Sequence, residues 1–169
     1  MSIKIPEKTK EIFTQEEMEK RWKRYSKARQ DFEHRYNLFS GMTTDFREQL
    51  SLVMKVEDVT FEELAEKIGV SSKTISRYNS GHNAPSMQML VAICIALHLD
   101  TKQSTALLAS LGRCFQSTRK EDYAYMYLIE NHSGKSIEEC NCILSDLGIS
   151  KSFWLYPRTR RQTGEQGRK

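Results

Sequence analysis

Residues 61–85, FEELAEKIGVSSKTISRYNSGHNAP, contain the pattern that decides the fold of this chain. Gly69 can adopt the positive φ that a tight turn between two helices requires. Ala65, four residues earlier, is small enough to let the two helices cross closely. Apolar residues lie on both sides of that glycine at positions suited to hold the helices against a core: Leu64, Ile68, Val70, Ile75 and Tyr78. The stretch therefore predicts two short helices joined by a tight turn.

The free face of the second helix carries short polar and basic side chains, and residues 70–84 include no acidic residue. The side chains on this face are Ser72, Lys73, Ser76 and Arg77. Lys73 can donate to guanine O6 and N7, and either serine can pair with several bases. Arg77, Ser80 and Asn83 suit phosphate oxygens, which fix the position of a protein on DNA without reading sequence. The alternative is a solvated helix face whose two cations bind nothing.

The segment resembles the lambda-repressor-like helix–turn–helix domains of the Cro/C1, or XRE, type over about residues 44–112. The pattern E-E-L-A-x-x-x-G-V-S-x-x-T-I-S-R-Y-x-x-G-x-x-x-P-S carries the resemblance, with matches at Ala65, Gly69, Ser71, Ile75, Tyr78, Gly81 and Pro85. Two positions depart from the family pattern, because Phe61 stands where glutamine is common and Asn79 where glutamate is frequent. A glutamine at the first of these positions helps to clamp a phosphate in the family.

The resemblance implies a double-stranded DNA partner and a recognition helix, about residues 71–80, in the major groove. The residues it assigns to base edges or nearby phosphates are Ser72, Lys73, Ser76 and Arg77. The residues it assigns to backbone phosphates are Ser71, Ser80 and Asn83. No cofactor and no metal are implied.

Capping residues and glycines divide the rest of the chain into helices, so the predicted fold class is all-α. We expect a five-helix lambda-repressor-like domain over residues 43–112, flanked by a long N-terminal helix and a C-terminal helical hairpin. The central buried helix is the run MQMLVAICIALHL, which is apolar on nearly all faces. The hairpin occupies residues 113–150 and displays Tyr123, Tyr125 and Tyr127, which suit a core or a dimer interface.

Residues 1–42 are predicted to contain a basic amphipathic helix that begins at a Thr14–Glu17 capping box and ends near Gly41. Its apolar positions follow a heptad-like stripe: Met18, Trp22, Tyr25, Phe32, Tyr36 and Phe39. Residues 20–29 hold six basic and no acidic side chains, which indicates either a contact with the DNA backbone or a solvated face. Residues 151–169 read as a disordered basic tail, and their arginines are candidates for a loose electrostatic arm.

The net charge of +4 is unevenly distributed along the 169 residues. It is +3 in residues 1–42, −2 in 43–112, −2 in 113–150 and +5 in 151–169. The charged start lacks the apolar core of a secretory signal, and the longest apolar run is too short to cross a bilayer, so we expect a cytoplasmic protein with no membrane partner. The four cysteines are expected to be small buried side chains and not a metal site.

The scattered histidines form no catalytic pattern with serine, cysteine or aspartate, so we expect no enzyme. The leading hypothesis is a sequence-specific transcriptional regulator, most simply a homodimeric repressor. The alternative is an antitoxin-like or other protein-interaction module with autoregulatory DNA binding. In that case the N-terminal helix or the C-terminal hairpin would contact a protein partner.

Overall fold

The computed structural model describes residues 14–41 and 43–155. In these ranges the chain is helical and contains no strand, which confirms the all-α prediction. The helices are α1 Gln15–Ser40, α2 Phe46–Val56, α3 Phe61–Ile68, α4 Ser72–Asn79, α5 Met87–Ala96, α6 Thr101–Ala109, α7 Lys120–Asn131 and α8 Ile137–Asp146, followed by a 3₁₀ turn at Lys151–Phe153. None of the described helices is both long and apolar enough to cross a membrane.

The chain divides into two compact units, one ending at Ser40 and the other beginning at Gly41. In the first unit, α1 starts with the predicted capping box. The Thr14 N–H donates to the Glu17 carboxylate at 2.9 Å, and the Glu17 N–H donates to the Thr14 hydroxyl at 3.3 Å. The first of these hydrogen bonds, with one from the Thr14 hydroxyl, lowers the pKa of the Glu17 carboxyl. The two reciprocal bonds fix where α1 begins.

The second unit is built around α5. Every side chain from Leu90 to Leu97 is buried, and α3, α6 and α7 all pack on this helix. Burial of a large aliphatic side chain contributes about 1.5–3 kcal/mol, so this apolar run makes a large contribution to the stability of the unit. The prediction of a central buried helix is confirmed.

Side-chain caps set the starts of most helices in this unit. Capping boxes at Thr60–Glu63, Asp100–Gln103 and Ser136–Glu139 open α3, α6 and α8, as their sequences predict. The exceptions are α4 and α7, neither of which has a side-chain cap, and α7 begins at Lys120. Its N-cap residue, Arg119, forms no side-chain cap, so the sequence gives no start signal there.

The predicted start of the disordered basic tail, residue 151, is too early in the sequence. Residues 151–155 are folded, because side chains distant in sequence hold them with hydrogen bonds. The Tyr125 hydroxyl donates to the Phe153 carbonyl, and the Leu155 N–H donates to Asn141 Oδ1 at 2.7 Å. Leu155 itself is buried. Residues 156–169, with the arginines of the expected arm, lie outside the described residues.

The expectation that all four cysteines are buried is correct for two of them. Cys94 and Cys140 are buried, and burial raises the pKa of their thiols to about 12 and about 11 respectively. Cys114 and Cys142 are exposed. Within residues 14–41 and 43–155, no group of three or more histidine, cysteine or acidic side chains is arranged to hold a metal ion.

Candidate nucleic-acid interface

The turn between α3 and α4 has the geometry that the sequence predicts. Gly69 lies in the left-handed region with φ 82° and ψ 34°, and its N–H donates to the Ala65 carbonyl at 2.8 Å. The Val70 N–H donates to the same carbonyl at 2.9 Å. Ala65 is 3% exposed, and α3 and α4 pack closely on each other. The small residue and the left-handed glycine thus sit where a close crossing of two helices requires them.

One buried side chain orients α4. Ile75 is 0% exposed and is the only buried residue of this helix. An α-helix turns about 100° per residue, so positions two residues before and two after Ile75 lie about 160° away from it. These positions are Lys73 and Arg77, and both are exposed. Burial of the isoleucine therefore points two cations away from the core.

Lys73 and Arg77 are unpaired cations on the surface of α4. Neither forms an ion pair or a side-chain hydrogen bond with another residue of the described part of the chain. They are four residues apart and so are neighbours on the helix surface. No carboxylate lies on α4 to neutralise them. An anion that approaches this face meets two positive charges held by one rigid helix.

The predicted serine contacts are not equally available. Ser76 is exposed, whereas Ser72 is half-buried. Ser71 is the N-cap residue of α4, but its hydroxyl shares a 2.9 Å hydrogen bond with the Thr74 hydroxyl instead of capping the backbone. The Ser80 hydroxyl lies 2.7 Å from His82 Nδ1, within hydrogen-bond distance. A phosphate at Ser71 or Ser80 must therefore share or displace an existing partner.

The loop that follows α4 is close to an arginine that sequence reasoning missed. Gly81 has φ +76°, and a Cβ placed on it would lie 3.3 Å from Arg47 Cδ. Arg47 belongs to α2 and pairs with Asp45 at 2.9 Å. That hydrogen bond holds the pKa of the Asp45 carboxyl at about 2. The exposed side chain of Asn83 lies in the same loop, so a phosphate contact there would have an arginine nearby. Because Arg47 and Gly81 are far apart in sequence, no local sequence pattern predicts that they lie close together.

Asn79, one of the two departures from the family pattern, has a structural role. The Ser51 hydroxyl of α2 donates to Asn79 Oδ1 at 2.9 Å. This bond joins the last residue of α4 to α2 and adds a second attachment for the helix besides Ile75. The residue at the other departure, Phe61, is half-buried at the start of α3 and offers no hydrogen-bonding side chain.

Four carboxylates of the domain line a concavity to which α4 contributes no residue. This shallow concavity beside α3 is lined mainly by carboxylates, with a single lysine among them: Glu57, Asp58, Glu63, Glu66 and Lys67. These acidic residues precede Gly69, whereas the two cations of α4 follow it. The net charge of the domain is therefore not the charge of the α4 face.

Comparison with known proteins agrees with this geometry. Residues 58–102, from the turn before α3 to the start of α6, match the helix-turn-helix family. The chain is also similar to the cryptic phage CTXphi transcriptional repressor RstR of Vibrio cholerae serotype O1, at 29% identity over 104 residues, which cover 54% of this chain and 93% of the relative. No solved structure matches the chain. Residues 58–102 thus match the helix–turn–helix family model of the Cro/C1, or XRE, type.

Proposed function

We propose that this chain is a sequence-specific DNA-binding transcriptional regulator, in which the α2–α6 segment acts as a five-helix lambda-repressor-like domain. In this proposal α4 enters the major groove. Base edges or nearby phosphates are contacted by Ser72, Lys73, Ser76 and Arg77, and backbone phosphates by Ser71, Ser80 and Asn83. The observation that carries the proposal is the pair of unpaired cations, Lys73 and Arg77, on the face opposite Ile75 in a helix–turn–helix domain.

The decisive experiment selects bound sequences from random double-stranded DNA with the full chain, then repeats the binding with variants. Lys73→Ala and Arg77→Ala should each weaken binding to the selected site by about 5- to 150-fold, because a base contact discriminates by about 1–3 kcal/mol. Lys67→Ala is the matched control: it removes one cation of the same domain from the acidic concavity and should leave affinity within about twofold. If no sequence is enriched, the proposal is wrong.

The repressor acts as a dimer in this proposal. A single helix–turn–helix unit contacts few base pairs, and such units commonly bind as two-fold dimers on half-sites about 34–36 Å apart. The selected site should therefore be a palindrome with half-sites one helical turn apart. A reporter whose promoter carries this site should be silenced when the chain is present, since a dimer on the promoter excludes polymerase.

A second candidate is the antitoxin-like interaction module, which the surface of the C-terminal hairpin favours. On α7, Tyr123 is 63% exposed and Tyr127 is 39% exposed, whereas Tyr125 between them is buried. Exposed tyrosines are frequent at protein interfaces. The test is whether this chain neutralises a toxic small protein encoded beside it. If it does, and if the Tyr123→Glu variant does not, this candidate would replace the first.

A further inference from the structure

The aromatic stripe on α1 is an exposed apolar surface in the unit of residues 14–40 that the structure describes. From Met18 to Phe39 the stripe advances by alternating intervals of four and three residues, with Arg29 at the position between Tyr25 and Phe32. Its five rings are between 38% and 66% exposed: Trp22, Tyr25, Phe32, Tyr36 and Phe39. Phe32 and Tyr36 stack on each other with ring centroids 6.0 Å apart and planes 8° apart. A repeat of 3.5 residues is the period at which two helices supercoil with a continuous seam.

We propose that α1 pairs with α1 of a second copy of this chain in an antiparallel two-helix coiled coil. An aromatic side chain offers about 150–250 Å² for burial, so rings exposed to this degree bury on the order of 100 Å² each. Five rings on each of two helices then bury roughly 1,000 Å² in total, which is the area where specific interfaces begin. The proposal refines the dimer of the proposed function, yet it rests on α1 alone and not on DNA binding.

Arg29 determines the direction of pairing. It occupies the seam position between Tyr25 and Phe32 and pairs with Glu33 of its own helix at 2.9 Å. In a parallel pair the two Arg29 side chains would face each other. In an antiparallel pair, a-type positions face d-type positions, so each Arg29 lies against Phe32 of the second copy, where a cation–π contact is favourable.

The remaining layers of the antiparallel pair match aromatic to aromatic. Trp22 faces Phe39 of the second copy, and Tyr25 faces Tyr36 of the second copy, so all five rings are used. The charges agree with this direction as well. In the antiparallel pair, residues 20–29, with six cations, lie beside residues 32–41 of the second copy, where the charges of Glu33 and Arg35 cancel each other. In a parallel pair, the six cations of one copy would lie beside the six cations of the other.

The narrow width of the aromatic stripe argues against a lipid surface as the occupant. The opposite face carries Lys20, Arg24 and Lys27, and acidic residues flank this basic stretch on both sides: Glu16 pairs with Lys20 at 3.1 Å. Asp31 pairs with Arg35 at 3.1 Å in the same way. A helix that lies on a lipid surface instead buries a broad apolar face at the boundary of the acyl chains. The stripe here is narrow, as a coiled-coil seam is.

Disulfide trapping in the absence of DNA tests both the pairing and its direction. In the full chain with the exposed cysteines removed (Cys114→Ser and Cys142→Ser), one preparation carries Trp22→Cys and another Phe39→Cys. We expect a covalent dimer on mild oxidation of the mixture and none from either preparation alone. A covalent dimer from the Trp22→Cys preparation alone would refute the antiparallel direction.

The mass in solution tests the pairing itself. Light scattering at tens of micromolar should give a dimer for the unmodified chain and for Lys27→Glu, and a monomer for Phe32→Glu, with circular dichroism to verify that each variant remains helical. A monomer for the unmodified chain would refute the proposal. So would binding of a monomeric chain to vesicles of phosphatidylserine that Phe32→Glu abolishes, because the stripe would then bind lipid. Enrichment of a DNA site does not depend on these results, so the two proposals fail separately.

Discussion

Replacement of Ile75 should separate the stability of α4 from its affinity for DNA. The helix has eight residues and is too short to persist without tertiary packing. Ile75 is its only buried side chain and is 0% exposed. Truncation of a buried isoleucine to alanine costs about 2–5 kcal/mol, and truncation to valine costs about 0.5–1.5 kcal/mol. Because Ile75 is fully enclosed, we expect Ile75→Ala to lower the free energy of unfolding by about 2–5 kcal/mol.

The assay is thermal unfolding of the full chain, followed by circular dichroism. For a chain of this length each kcal/mol lowers Tm by about 2–4 °C, so Ile75→Ala should lower Tm by roughly 4–20 °C and Ile75→Val by roughly 1–6 °C. Arg77→Ala supplies the contrast. Removal of an exposed, unpaired side chain changes stability by less than about 0.5 kcal/mol, so its Tm should move by no more than about 2 °C.

Affinity for the selected DNA site, measured well below Tm, should show the opposite order. Ile75→Val should bind nearly as the unmodified chain does, whereas Arg77→Ala should bind more weakly. If Ile75→Ala left Tm within about 2 °C, Ile75 would not be what holds α4 in place. The assignment of Lys73 and Arg77 to the outward face would then have no physical basis, whatever the effect of these residues on binding.

Thiol burial, carboxyl titration and the charge of the tail each give a further prediction. Ellman's reagent should label two thiols of the native chain and all four in denaturant, because Cys94 and Cys140 are buried and their thiol pKa values are raised. The Asp45 carboxyl has a pKa lowered from 3.8 to about 2, so its stabilising effect is complete above pH 3.8 and disappears as the pH falls through 2. Asp45→Asn keeps an N-cap oxygen, and the difference in Tm between this variant and the unmodified chain should shrink as the pH is lowered from neutral to about 2. Deletion of residues 158–169 should weaken binding to all DNA alike and reduce the salt slope by about 0.9 for each phosphate that the tail neutralises; an unchanged slope would exclude the arm.

The helix–turn–helix segment could be predicted because its signals are local. A left-handed glycine, a small residue at the crossing and capping boxes act over three or four residues, and the structure retains each of them. The orientation of Lys73 and Arg77 was predictable for the same reason, since helical geometry alone relates them to Ile75. Propensity and periodicity need no knowledge of the rest of the chain.

The features that sequence reasoning missed depend on contacts between distant segments. Arg47 lies beside Gly81 only because α2 packs near the end of α4, and Asn79 finds Ser51 for the same reason. The folded 151–155 segment is likewise held by hydrogen bonds from Tyr125 and Asn141 to its backbone, although its sequence resembles a tail. Such contacts are set by the packing of helices, which no single stretch of sequence specifies.

The distribution of charge explains how an acidic domain can bind a polyanion. At physiological ionic strength a charge is screened beyond about 8 Å, so a phosphate interacts with the side chains nearest to it and not with the total charge of the domain. Lys73 and Arg77 on α4 are exposed and form no ion pair with the described residues, whereas the carboxylates of Glu57, Asp58, Glu63 and Glu66 line a concavity beside α3. The salt slope of binding should therefore count the phosphates that cations contact, at about 0.9 for each, and should not follow the net charge of −2 over residues 43–112. A basic N-terminal helix on each chain of a dimer would raise that count without any change in the sequence that α4 is proposed to read, because phosphate contacts position a protein and base contacts specify its site.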